Sequence, residues 1–254
     1  TALSTAPTAT TTATAASPAG DYAITASGGV SANYDFSYTA GTLTVDKAAL
    51  TVKADNKIRA YNTANPALTA SYIGLVNGDT PATVVLSAPS LSTTATISSP
   101  AGDYPITVNG GSYSSNYTVS YSNGTLTVGS TTPTITFADM AKVYGDSDFE
   151  GGASSPSPVT ITYSSDNASV ATIVDNKIHI VGAGTANITA SQAGDGNYTA
   201  AAPVSKVLTV DKAILTVTAA NQSKTYGSAN PALTVSYSGF VNGDDATALS
   251  TAPT

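Results

Sequence analysis

The chain repeats itself with a fixed period. GTLTVDKA at 41–48, GTLTVGST at 124–131 and KVLTVDKA at 206–213 place the same Leu-Thr-Val core at Leu43, Leu126 and Leu208, spaced by 83 and 82 residues. A basic residue, a spacer and a tyrosine recur independently as Arg59-Ala60-Tyr61, Lys142-Val143-Tyr144 and Lys224-Thr225-Tyr226, again 83 and 82 residues apart. Two unrelated landmarks with one period define a structural unit of about 80 residues. LTVKADNKIRAYNTANPALTASYIGLVNGD at 50–79 aligns without gaps to LTVTAANQSKTYGSANPALTVSYSGFVNGD at 215–244. SPAGDYPITVNGGSYSSNYTVSYSNGTLTV at 99–128 aligns to SPAGDYAITASGGVSANYDFSYTAGTLTV at 17–45 with one deletion. Residues 50–128 therefore hold one whole unit, the N-terminal piece its second half and the C-terminal piece its first half.

TALSTAPT stands at 1–8 and again at 247–254, an offset of 246 residues. This reads as a superrepeat of three domains, with the sequence opening and closing inside one of them. The expected divisions are residues 1–46 (second half of a domain), 47–129 (a complete domain), 130–211 (a divergent domain) and 212–254 (first half of a domain).

Each unit reads as β structure. Leu50-Thr51-Val52, Ile106-Thr107-Val108 and Leu126-Thr127-Val128 alternate apolar and polar residues with period two, the pattern of a strand with one buried and one wet face. Turn signals such as Asn77-Gly78-Asp79 and Asn109-Gly110-Gly111 separate them. The expected fold class is all-β: tandem immunoglobulin-like β-sandwich domains in an extended rod. Asn123-Gly124 is expected to close a final hairpin. Tyr61, Tyr72, Tyr104, Tyr117 and Tyr121 are expected to anchor a small core, their phenol oxygens at the rim. Asp46-Lys47-Ala48 leaves little slack between neighbouring strands, so successive domains should nearly touch.

Composition removes several functions. The chain has no Cys and one His, so no thiolate site, disulfide, zinc site or His-based triad can be assembled. A net charge of −7 disfavours nucleic acid and anionic membrane, and no apolar run is long enough to insert in a bilayer. No enzyme activity and no cofactor are expected. The one candidate site is a Ca²⁺ loop at Asp146, Asp148 and Glu150, three carboxylates at alternate positions in a Gly-rich stretch. Asp195-Gly196-Asn197 and Asp244-Asp245 are weaker candidates, and the EF-hand spacing is absent. His179, flanked by Ile178 and Ile180, is expected to face solvent from a strand.

The flanking units, with TYGSANPALTVSYSGFVNGD, resemble the MBG (YGX-type) domains of large bacterial surface proteins. The middle unit, with SSDNASVATIV and GAGTANITAS, resembles the bacterial Ig-like group 2 (BIG2) pattern and shares the landmark Tyr144-Gly145. Tyr61-Asn62 departs from Tyr-Gly, which a left-handed Asn tolerates. The resemblance implies a sandwich fold, an extracellular location on a bacterial surface, and a spacer role. The expected function is a structural tandem-repeat segment of an adhesin stalk or filament. The alternatives are a glycan- or protein-binding Ig-like module, or separate subunits polymerising head to tail. Expected partners are adjacent copies of the repeat, in a filament or bundle, and a host or cell-surface glycan or protein.

Overall fold

A computed structural model describes residues 3–251. The chain divides into two compact units, Thr1–Gly129 and Ser130–Thr254, and both are built from strands.

The first unit opens with β1 (Thr5–Thr11), β2 (Gly20–Val30) and β3 (Gly41–Val45), an antiparallel sheet in the order β1-β2-β3. No residue of this sheet is buried. The complete sandwich follows: β4 (Ala48–Ala54), β5 (Lys57–Ala60), β6 (Ala70–Ile73), a single helical turn α1 (Pro81–Val84), β7 (Val85–Ser87), β8 (Ser90–Thr93), β9 (Gly102–Asn109), β10 (Ser112–Tyr113), β11 (Tyr117–Ser122) and β12 (Gly124–Gly129). One sheet runs β11-β4-β6 and the facing sheet β5-β12-β9-β8.

Period two decides which residues meet between the sheets. Leu50, Val52 and Ala54 from β4, Ile106 and Val108 from β9, Leu126 from β12 and Tyr117 from β11 form one buried cluster. Each Leu, Ile or Val buried there contributes roughly 1.5–3 kcal/mol. On the outer face, hydroxyls pair across strands, as Thr51 with Ser120 at 3.2 Å and Ser92 with Thr107 at 2.8 Å. This accounts for a sequence rich in Thr and Ser and poor in charge.

Asn123-Gly124 does not close a hairpin. β11 pairs in parallel with β4, and β12 in parallel with β5, at one common register: Tyr117↔Ala48 in one sheet and Leu126↔Lys57 in the other. The two chain segments thus run side by side and cross together from sheet to sheet. The Asn56 carboxamide oxygen accepts the Thr125 N–H at 2.9 Å at that crossing. Gly124 permits it, because a Cβ there would lie 2.5 Å from the Ala54 carbonyl oxygen.

Of the tyrosines expected in the core, Tyr117 is buried, and Tyr72 and Tyr104 pack half-buried against the cluster. Tyr104 donates to the Pro100 carbonyl at 2.9 Å, so its oxygen does sit at the rim. Tyr61 is half-buried. Tyr121 is a correction: it is exposed, and its hydroxyl donates to the Gly110 carbonyl at 2.6 Å. Asn62 is left-handed, with φ 60°. The basic landmark has a structural reason here. Arg59 is buried, and its guanidinium donates to Asn65 Oδ1 at 2.7 Å, to the Ala60 carbonyl at 3.0 Å and to the Thr96 carbonyl.

The second unit contains β13 (Met140–Val143), β14 (Ile161–Ser165), β15 (Ala171–Val174), β16 (Lys177–Ile180), β17 (Gly184–Gln192), β18 (Val204–Asp211), β19 (Thr216–Ala219) and β20 (Val235–Ser238). Its main sheet runs β13-β18-β17-β14, and β15 and β16 form a hairpin. Asp175 and Asn176, at φ 49° and 62°, make that hairpin's two-residue turn. Ile178, Ile180, Ala186, Ile188, Leu208 and Val210 form its core with Phe137. Gln192 is buried but satisfied: it accepts from Ser155 Oγ at 2.8 Å and donates to the Ser157 and Val159 carbonyls. The last two strands, β19 and β20, pair only with each other among the described residues.

Candidate functional site

The three carboxylates read as a calcium loop are held apart. Phe149 bridges Ile178 with two backbone hydrogen bonds, at 3.1 and 2.8 Å. Antiparallel pairing about that bridge sets Asp148 beside His179 and Glu150 beside Lys177. Asp148 Oδ1 lies 2.7 Å from His179 Nδ1, and Glu150 Oε1 lies 3.5 Å from Lys177 Nζ. Asp146 instead caps the Tyr144-Gly145 turn, accepting the Val143 N–H at 3.0 Å. Among the described residues, no three His, Cys, Asp or Glu side chains converge as a metal centre would require. The exposed Lys177–Glu150 ion pair is of the kind worth about 0–1 kcal/mol. His179 faces solvent from its strand.

The weaker candidates also have local duties. Asp195 Oδ1 accepts the N–H groups of Asn197 and Tyr198, both at 2.7 Å. Asp245 caps a short helical turn, accepting the Thr247 N–H at 2.8 Å. That interaction, with the Thr247 hydroxyl contributing most, holds its carboxyl below the usual range.

What the sequence reading missed lies at the seams between domains. In the first unit Asp46-Lys47 is the whole connection between β3 and β4. Asn116 Oδ1 accepts the Ala19 N–H at 3.0 Å across that seam. Beside it, Val76-Asn77-Gly78-Asp79 forms a tight loop, with Asn77 at φ 59°, Gly78 at φ 76° and the Asp79 N–H on the Val76 carbonyl at 3.0 Å. Asp79 Oδ2 accepts the Tyr117 hydroxyl at 2.6 Å, and that bond pushes the phenol pKa up.

The second unit repeats the loop. Val241-Asn242-Gly243-Asp244 has Asn242 at φ 54°, Gly243 at φ 80° and the Asp244 N–H on the Val241 carbonyl at 2.9 Å. Here Asp244 Oδ2 accepts the hydroxyl of Tyr144, a residue of the preceding domain, at 3.0 Å. Gly145 lies under Val241, where a Cβ would come within 2.7 Å of the valine Cβ. The Tyr-Gly motif of one domain therefore docks on the Val-Asn-Gly-Asp loop of the next. The signal was present in the sequence, as the identical VNGD at 76–79 and 241–244. It reads locally only as a turn.

Such seams join domains. They offer phenol–carboxylate hydrogen bonds and hydrogen bonds from backbone N–H groups to side chains. These features define a class: repeated all-β sandwich domains joined through short connections. The MBG domain (YGX type) family model matches residues 1–44, 50–127 and 215–254, and the chain belongs to that family. No curated protein matches the chain in sequence. Among solved structures it is similar to Drosophila N-cadherin EC1-4, at 10% identity and TM-score 0.25 over 78% of this chain and 58% of that one. It is also similar to the N-terminal part of the bacterial S-layer protein SbsC, at 12% identity and TM-score 0.23 over 64% and 44%. The chain thus spans under two thirds of either structure's length. Among the described residues no helix is long and apolar enough to cross a membrane.

Proposed function

We propose that this chain is a non-catalytic spacer: a tandem-repeat segment, with a 246-residue superrepeat, of a bacterial cell-surface adhesin stalk or extracellular filament. In this reading the central domain is of the BIG2 type, and adjacent copies of the repeat are the main partners. The observation that carries the proposal is the short seam. Two residues separate β3 from β4, and side-chain hydrogen bonds from Asn116 and Tyr144 bridge the domains on either side of such seams. A chain selected to hold a distance needs joints of this kind, since a flexible linker would shorten its reach.

The binding-module alternative has less support. Tyr34, Tyr38 and Tyr226 are exposed, but they align with Tyr117, Tyr121 and the Tyr-Gly landmark, all structural positions in neighbouring domains. Antibodies against residues 130–211 applied to intact cells test the location. Labelling without lysis is expected, and labelling only after the envelope is opened would refute the proposal.

A further inference from the structure

We infer that residues 212–248 of one copy and residues 3–45 of a second copy fold together into one composite MBG sandwich, and that Tyr34 of the second copy donates its hydroxyl to Asp244 of the first. This deepens the tandem-repeat reading above and rests on it.

The complete domain in the same chain is the template. Residues 50–79 match 215–244 without a gap, and residues 99–128 match 17–45 with one deletion. The two end pieces are therefore the two halves of a domain whose finished form is visible at 48–129. Equivalent residues differ in exposure between the whole domain and the two end pieces. Leu126 is 0% exposed and its equivalent Leu43 is 38%; Val52 is 0% and Val217 is 41%; Tyr117 is 5% and Tyr34 is 64%. Three apolar positions that are core in the whole domain are thus uncovered in the halves, which supplies the driving force for pairing.

The template also fixes the register. β11 lies parallel to β4 with Tyr117↔Ala48 and Ser120↔Thr51. Transferred by sequence alignment, Tyr34 falls opposite Ala213, Phe36 opposite Leu215 and Ser37 opposite Thr216. That segment, residues 34–39, forms no strand in this chain, whereas its equivalent, β11, does so against β4. β19 has an open edge on the side the segment would occupy, since β20 takes the other. An added strand satisfies that edge with backbone hydrogen bonds.

The pairing assigns sockets to two exposed tyrosines. Asp79 accepts from the tyrosine of its own domain, Tyr117, and Asp244 from the tyrosine of the preceding domain, Tyr144. A carboxylate has capacity for both. In the composite domain Asp244 gains its own-domain partner, Tyr34. By the same rule Asp79 gains the preceding domain's partner, Tyr226 of the other copy, with Gly227 seated on Val76 as Gly145 is on Val241.

The chain has no cysteine, so disulfide trapping is clean. Thr51 and Ser120 hydroxyls lie 3.2 Å apart on the outer face, and their equivalents are Thr216 and Ser37. A Ser37→Cys chain mixed with a Thr216→Cys chain under mild oxidation is expected to give the mixed dimer in excess over both homodimers. Replacing the partner with Val217→Cys, whose side chain points to the opposite face, is expected to lose that excess. Equal yields from the two partners, or a mixed dimer no commoner than the homodimers, would overturn the pairing. Sedimentation of the unmodified chain gives a second reading that no substitution can disturb. Mass rising with concentration in steps of 25.2 kDa is expected, and a constant 25.2 kDa would contradict it. Either failure would leave the spacer proposal standing, because surface labelling tests that separately.

Discussion

Tyr117 and Asp79 are joined by a 2.6 Å hydrogen bond that ties the last strand of one sheet to a loop at the domain's end. The phenol is in the core cluster and the carboxylate is at the seam. The charged acceptor favours the protonated phenol, so Tyr117 ionises above the ordinary tyrosine range. Asp79→Asn removes the charge and should return that ionisation downward. Site-resolved NMR titration of the tyrosine rings reads this directly. An unchanged Tyr117 titration would show that the bond is not formed in solution.

Gly124→Ala should destabilise the complete sandwich by about 1–3 kcal/mol, the usual cost of overpacking. The added Cβ would meet the Ala54 carbonyl oxygen at 2.5 Å, where two strands change sheets together. Gly129→Ala, in the same strand with only the Arg59 carbonyl at 3.8 Å, is the control and should be near neutral. Amide hydrogen exchange within residues 48–129 separates this domain from its neighbours. Equal protection in both variants would count against the sheet crossing.

Arg59→Ala should cost about 2 kcal/mol, since it leaves the Asn65 carboxamide oxygen and the Thr96 carbonyl without their donor. Arg59→Lys should recover only part of this, because one ammonium cannot span three acceptors in the guanidinium's planar geometry. Exchange protection of residues 57–60 and 95–96 is the readout.

The role of Arg59 also shows how far the sequence could be read. The period, the all-β class and the alternating core positions were legible because they depend on local pattern and self-alignment. The landmark of a basic residue before tyrosine was visible too, but its reason was not: the acceptor on Thr96 is 37 residues away. Asn123-Gly124 has the composition of a hairpin turn. What makes it a crossing is a parallel partner, β4 and β5, that no local pattern identifies. The spacing of Asp146, Asp148 and Glu150 suggested convergence. The distant Phe149–Ile178 bridge instead gives the latter two separate basic neighbours.

Stability should fall at both ends of the pH scale. Asp55 is held below its ordinary pKa by the Ser71 and Thr69 hydroxyls, and Asp166 by the side chain and backbone N–H of Asn187. A depressed folded pKa gives stability that is present above the unfolded carboxylate range and lost as pH falls through the folded value. At the other end, burial and then the neighbouring Tyr121 and Tyr72 push Tyr113 up to about 12 from 10.0. That contribution is present below about pH 10 and lost as pH rises through 12. Thermal melts across pH should decline in both windows. Asp55→Asn should flatten the acid limb and Tyr113→Phe the alkaline one.

The proposed spacer role requires a set distance, so the most direct measurement varies the number of 246-residue units in a protein displayed on cells and locates a gold label fixed beyond them. The label should stand farther from the envelope by a constant increment for each unit added. A label whose distance does not change with unit number would contradict the account.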